Sequence, residues 1–176
     1  MAALPVPAVR RMPFGRAYAG FEFVEPVRSA LHRGKFGGDR EALEALGALV
    51  SSRLERRELN TPDAVIPVPL GPRRRRQRGF NQAEVLAGVI GGARGAPTVA
   101  GLRRARDTAP QSARDEAPRR LNVAGAFVWE GGPLRSARLW LIDDVLTTGA
   151  TVTAAAGALT DAGAERIDAI VVAAVL

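Results

Sequence analysis

The sequence predicts an α/β domain with a mainly parallel central sheet flanked by helices, and three observations predict it. Short apolar runs alternate with amphipathic segments, Gly and Pro bound the runs, and two of the runs open directly into chemically unusual loops. The 176 residues, 47% hydrophobic and 24% charged, suit one domain with a sizeable core and exclude wholesale disorder. No run approaches the roughly 18 apolar residues of a membrane span, and the first residues hold no apolar stretch of the kind a secretory signal needs. With no cysteine, disulfides, a thiol nucleophile and a thiolate zinc site are all excluded. A soluble cytoplasmic protein that does not engage membranes is the expectation.

In chain order, residues 1–20 carry Pro5, Pro7 and Pro13 and little periodicity, which predicts a loose or extended lead-in. The remainder divides into an N-terminal helical part, 21–60, and a core, 61–176. A short helix is expected over Glu25–Arg33, then a glycine break at Gly34–Gly38. Asp39 reads as the N-cap of a helix reaching about Arg57, with Leu43, Leu46, Val50 and Leu54 on one face. Ala64–Val68 is a short buried strand closed by Pro69, and a Gly/Pro/Arg loop from Leu70 to Gly79 leads to a helix over about Asn81–Ile90. Thr98–Leu102 and Val123–Trp129 are candidate strands, separated by a polar, Arg-rich stretch over 103–122. Arg138–Ile142 is a buried strand that delivers Asp143 and Asp144 to its end. A helix from about Gly149 carries Val152, Ala155, Ala156, Leu159 and Ala162 on one face and stops at Gly163, and Ile167–Leu176 is a last buried strand.

Charge is distributed unevenly. Residues 71–120 hold 12 Arg against Glu84, Asp107, Asp115 and Glu116, a balance of +8, whereas the rest holds 13 basic and 14 acidic residues. One segment therefore attracts an anion, either a phosphorylated small molecule or a nucleic-acid backbone. Lys35 is the only lysine; a coding bias toward Arg accounts for the scarcity but not for the clustering.

The most informative segment is 139–151. Leu139-Trp140-Leu141-Ile142 is followed by Asp143-Asp144 and then by Thr147, Thr148, Gly149, Ala150 and Thr151 at the opening of a helix. Backbone N–H groups at a helix N-terminus converge on one spot and favour an anion there, Thr hydroxyls add donors, and Gly permits close approach. Carboxylates would repel a phosphate, so their partners are hydroxyls or a divalent cation. Both demands are met by a phosphorylated sugar with its phosphate in the loop and vicinal hydroxyls on the acids. A P-loop is excluded, because Lys35 precedes Phe36 and Ser29 stands where the first Gly is required.

This segment resembles the signature of the type I phosphoribosyltransferases. Ile66–Leu70, Arg78–Ala83, Leu102–Arg104, Asp107–Gln111, Arg119, and Asn122-Val123 before Gly125–Phe127 narrow the resemblance to the ComF (competence protein F) family, over about Tyr18–Val175. The resemblance implies the type I phosphoribosyltransferase fold with a small N-terminal hood region. It also implies a ligand, phosphoribosyl diphosphate (PRPP) or a related phosphoribosyl compound, held with Mg²⁺. Asp143 and Asp144 would bind the ribose hydroxyls directly or through Mg²⁺, and Thr147 to Thr151 the 5′-phosphate. The loop at Pro69, Leu70 and Arg73 would face the pyrophosphate, while Arg103, Arg106, Gln111, Arg119 and Asn122 would belong to a mobile loop over the substrate. Arg78, with one of Arg73–Arg76, is expected to stabilise the leaving pyrophosphate. A role in DNA uptake is implied as well, with single-stranded DNA or a DNA-uptake helicase as partner and an oligomer as a compatible state. Family members usually begin with a four-cysteine zinc ribbon; here it was either lost or lies upstream. His32 reads as structural or solvent-facing, and Trp129 and Trp140 as packing residues.

Overall fold

The protein is described from a computed structural model, in which residues 10–12, 14–56, 59–105, 125–135 and 137–175 are defined. The strands are β1 (Arg10–Met12), β2 (Gly15–Glu22), β3 (Ala64–Pro67), β4 (Leu102–Arg104), β5 (Phe127–Trp129), β6 (Arg138–Leu146) and β7 (Arg166–Ala174). The helices are α1 (Val27–Phe36), α2 (Arg40–Glu55), α3 (Pro72–Arg78), α4 (Gln82–Arg94) and α5 (Ala150–Asp161). Five strands form one sheet in the order β1-β2-β7-β6-β3, and β4 and β5 form a separate antiparallel ribbon. Every pairing in the main sheet is parallel except β1 with β2, as the predicted fold class requires.

Burial on both faces explains why β6 and β7 read as continuous apolar runs. Leu139, Leu141, Ile167, Ala169 and Val171 pack with Val152, Ala155, Ala156 and Leu159 of α5 and with Phe127 of the ribbon. Trp140, Ile142, Ile170 and Val172 pack on the other side with Leu31 of α1, Leu43, Leu46 and Val50 of α2, and Leu86 and Ile90 of α4. At about 1.5–3 kcal/mol for each fully buried large aliphatic side chain, these two layers dominate the stability. Asp39 caps α2 as predicted, accepting from Ala42 N at 2.9 Å.

Four expectations need correction. Toward residue 20 the lead-in is extended and ordered, not loose: β2 lies between β1 and β7, with Tyr18 opposite Ile170, because pairing there buries Ala17, Tyr18 and Ala19. The stretch 72–78 is helical. Gly71-Pro72 supplies an N-cap and a proline at the first turn, Gly79 closes the helix at φ +75°, and the arginines between them are good helix formers. The Thr98–Leu102 strand is reduced to one parallel bridge, Thr98 with Val65, and the pairing strand begins at Leu102. The acid-bearing strand does not end at Ile142; it continues to Leu146 alongside Ala174, so both acids lie within it.

Candidate functional site

Adjacent residues on a strand point to opposite faces, and this separates the two acids. Asp143 shares the side of Leu139 and Leu141, toward α5 and the ribbon, whereas Asp144 shares the side of Trp140 and Ile142, toward the helices α1 and α4. Parallel pairing of Pro67 with Ile142 brings the segment leaving β3 level with the acids, and Val68 N donates to Ile142 O at 2.8 Å.

Asp144 is 6% exposed and well partnered. Its Oδ2 accepts from Gln82 Nε2 at 2.8 Å and pairs with Lys35 Nζ at 2.9 Å. Gln82 Oε1 accepts in turn from Arg78 Nη1 at 3.1 Å, and the Arg78 guanidinium lies 4.9 Å from the centre of the Phe36 ring. Burial lowers the pKa of Arg78, Asp144 opposes that shift, and Arg74 adds to it. Asp143 is half-buried and accepts the backbone N–H of Asp144 at 2.8 Å. Desolvation, reinforced by the neighbouring Asp144, pushes its carboxyl up to about 7 against the opposing pull of that N–H, Lys35 and Arg104.

Every residue of the run Arg78–Ala83 except Phe80 has a place in this arrangement. Gly79 terminates α3 in a left-handed conformation, and Asn81 caps α4 by accepting from Ala83 N at 3.1 Å. Asn81 Nδ2 also donates to Val68 O at 3.0 Å, locking α4 onto the end of β3. With the helix so fixed, Gln82 can reach Asp144 and Arg78 can reach Gln82.

After β6, Gly149 takes φ +81° and forms the N-cap of α5, which has no side-chain cap. Thr147 and Thr148 are exposed, Ala150 and Thr151 half-buried, and Thr148 Oγ1 accepts only a long 3.4 Å bond from Ala150 N. A helix of 12 residues thus begins at a glycine flanked by hydroxyls, with no acidic residue in its first turn. That chemistry suits an anion.

Among the remaining sequence-predicted residues, Pro69 and Leu70 follow the end of β3 and are half-buried. Arg73 is exposed, and it is Arg74, with Gln77, Arg78, Lys35, Phe36 and Gly38, that lines a cleft of about 530 Å³ beside Asp144. Arg103 faces outward and pairs with Glu130, while its neighbour Arg104 acts on Asp143 and lies 5.4 Å from the centre of the Phe127 ring. Arg106, Gln111, Arg119 and Asn122 lie outside the described residues. Lys35, Gln82 and Arg104 are the site residues to which sequence reasoning assigned no specific part, and Arg74 is the member of Arg73–Arg76 that lines the cleft. The available signals were that Lys35 is the sole lysine of an Arg-rich chain and that Gln82 and Arg104 lie in the runs Arg78–Ala83 and Leu102–Arg104. His32 is exposed, its ring 4.8 Å from that of Phe36, and Trp140 is buried.

No cluster of three or more His, Cys, Asp or Glu occurs among the described residues. A Mg²⁺ ion held by Asp143 or Asp144 would therefore draw most of its oxygen ligands from water and from a bound ligand, the usual habit of this ion. The ammonium of Lys35 on Asp144 marks that carboxylate as a place where positive charge is stable.

Comparison with known proteins agrees with this architecture. The fold is similar to that of glutamine phosphoribosylpyrophosphate (PRPP) amidotransferase from B. subtilis solved with ADP and GMP: the TM-score is 0.51 at 20% identity, over 75% of this chain and 26% of that one. No protein-family model matches the chain. The sequence is 32% identical over 163 residues to the DNA utilization protein YhgH of Salmonella typhimurium, spanning 88% of this chain and 70% of that protein. It is 31% identical over 154 residues to competence protein F of Haemophilus influenzae, spanning 82% and 66%. An α/β sheet of phosphoribosyltransferase type and relatedness of this extent together show that the chain belongs to the ComF (competence protein F) family.

Proposed function

We propose that the protein binds PRPP with Mg²⁺ at the end of β6 and transfers or holds its 5-phosphoribosyl group in the service of DNA uptake. The arrangement of the acid pair carries this reading: two adjacent carboxylates lie near the carboxyl end of a buried strand and are followed within seven residues by the Thr/Gly opening of α5. The vicinal ribose hydroxyls suit Asp143 and Asp144, and the 5′-phosphate suits Thr147, Thr148, Gly149, Ala150 and Thr151. Pro69, Leu70 and the cations Arg78 and Arg74, which line the cleft, suit the diphosphate. Mg²⁺, when bound, would offset diphosphate charge and favour its departure. Arg78, kept partly desolvated beside Asp144, stabilises the same developing charge, and a guanidinium in such surroundings acts more strongly than one in water. The link to DNA uptake rests on the relatives whose names state DNA utilization and competence.

The test is calorimetric titration of the full chain with PRPP and Mg²⁺, alongside Asp143→Asn and Asp144→Asn. Each charged hydrogen bond is worth about 1.5–3 kcal/mol, so each variant should lose roughly 10- to 150-fold in affinity. Unchanged binding in both variants refutes the site. Pyrophosphate release with a panel of nitrogen acceptors then separates transfer from holding.

One observation favours a second reading, that of a non-catalytic module contacting single-stranded DNA: Arg73, Arg74, Arg75 and Arg76 are all exposed along α3. A run of this kind attracts a phosphate backbone in a salt-dependent way. Absence of single-stranded DNA binding at low salt removes direct contact and leaves a protein partner, such as a helicase, as the route to DNA.

A further inference from the structure

We propose that Lys35 is a displaceable internal counter-ion, whose ammonium fills the cation position at Asp144 and makes divalent-metal binding depend on an arriving phosphorylated ligand. The idea rests on the acid pair being the ligand site. It starts from a geometric coincidence: the chain's only lysine lies within 2.9 Å of Asp144 Oδ2, the same oxygen that accepts from Gln82. Its side chain is 21% exposed, against 8% for that of Asp144, so the ammonium closes the open side of a carboxylate that is otherwise shut in.

Lys35 comes from the last turn of α1, beside Phe36, whose ring faces Arg78. A purely structural tether would need neither a flexible four-carbon stem nor a neighbouring space. Both are present, because Lys35 lines the cleft of about 530 Å³ that also exposes Arg74 and Arg78. An ammonium and a divalent cation cannot share one carboxylate oxygen at close range, since like charges there repel with little water to screen them. A bare cation must therefore expel Lys35 into a cleft already holding two guanidinium groups. A phosphorylated ligand changes the balance. Its oxygens give the ammonium a new partner on the cleft side, and Asp144 is released to hydroxyls and metal. Lysine suits this part better than arginine, being a compact charge on a mobile stem rather than a fixed planar fork.

The experiment reads Mn²⁺ alone, by the loss of the free-ion electron paramagnetic resonance signal on titration into the full-length chain. Wild type should bind Mn²⁺ only weakly. Lys35→Met, which keeps the stem and removes the charge, should bind at least about tenfold tighter, about 1.4 kcal/mol. Adding Asp144→Asn to Lys35→Met should abolish the gain, and Lys35→Arg should behave as wild type. Lys35→Gln serves as the second neutral variant, and circular dichroism checks folding of each. Equal Mn²⁺ affinity in wild type and both neutral variants overturns the proposal, as does tight Mn²⁺ binding by wild type. Failure of both neutral variants to fold also overturns it, because a group the fold cannot lose is not displaceable. A parallel titration of wild type with PRPP and Mg²⁺ tells the two readings apart. Absence of that binding removes the proposed ligand, while the Mn²⁺ result still reports on Lys35.

Discussion

Asp143 is the residue at which burial and function conflict most directly. Its carboxyl is raised to about 7 by desolvation and by Asp144, whereas in the unfolded chain it titrates near 3.9. Between those values the folded protein holds the proton more tightly, so this group's contribution to stability is complete below about pH 4 and is lost as pH rises through 7. Asp143→Asn should accordingly be more stable than wild type at pH 8, with the difference shrinking toward pH 4; denaturant melts at several pH values check this. Equal stability of the two proteins at pH 8 would show that the carboxyl is not strained by burial. Ligand binding that requires the carboxylate should release a proton near pH 7, visible as buffer-dependent calorimetric heats. A second prediction concerns Asn81, whose side chain caps α4 and satisfies Val68 O. Asn81→Ala should cost about 1–2 kcal/mol, from the missing cap and the buried carbonyl left unpaired, as measured by urea denaturation. It should also weaken ligand binding by loosening Gln82.

At the scale of elements, the decisive junctions are those where strand becomes helix. Gly149 combines φ +81° with a closely packed surrounding: a Cβ placed there would come within 2.8 Å of Met12 Cε. Gly149→Ala should cost at least about 1–2 kcal/mol for the left-handed backbone, plus the displacement of Met12. Its thermal midpoint and its affinity for a phosphorylated ligand should fall together; a decrease in neither would mean that the loop tolerates a side chain. The helix α3 shows why a loop was expected where a helix forms. Gly71, Pro72 and Gly79 mark helix boundaries as readily as loops, and α3 buries no residue, so no apolar periodicity announces it. The ribbon gives the complementary lesson. Strand alternation sends Arg103 to solvent and Glu130 but turns Arg104 toward the acid pair, so a one-residue choice of face decides which guanidinium reaches the site.

For the whole molecule, the arginines of α3 divide between the cleft and the surface. Arg78 and Arg74 line the cleft beside Asp144, Arg75 pairs with Glu84, and Arg73 and Arg76 remain on the surface of α3. Replacing Arg73 and Arg76 with Gln should leave PRPP affinity within about twofold. It should reduce the salt dependence of any single-stranded DNA binding by roughly 0.7 in slope for each phosphate no longer neutralised. A large fall in PRPP affinity instead would place these side chains at the diphosphate. By itself the sequence determined the alternation of strands and helices, the acid pair with its Thr/Gly loop, and the family, because periodicity, turn residues and contiguous motifs are local and survive in one dimension. The tertiary structure alone decided that Asp143 and Asp144 face opposite sides of the sheet, and that Lys35 and Gln82 converge on Asp144 from 109 and 62 positions away. Those partners are set by how α1 and α4 pack on one face of the sheet, a long-range consequence of burial that no local pattern encodes.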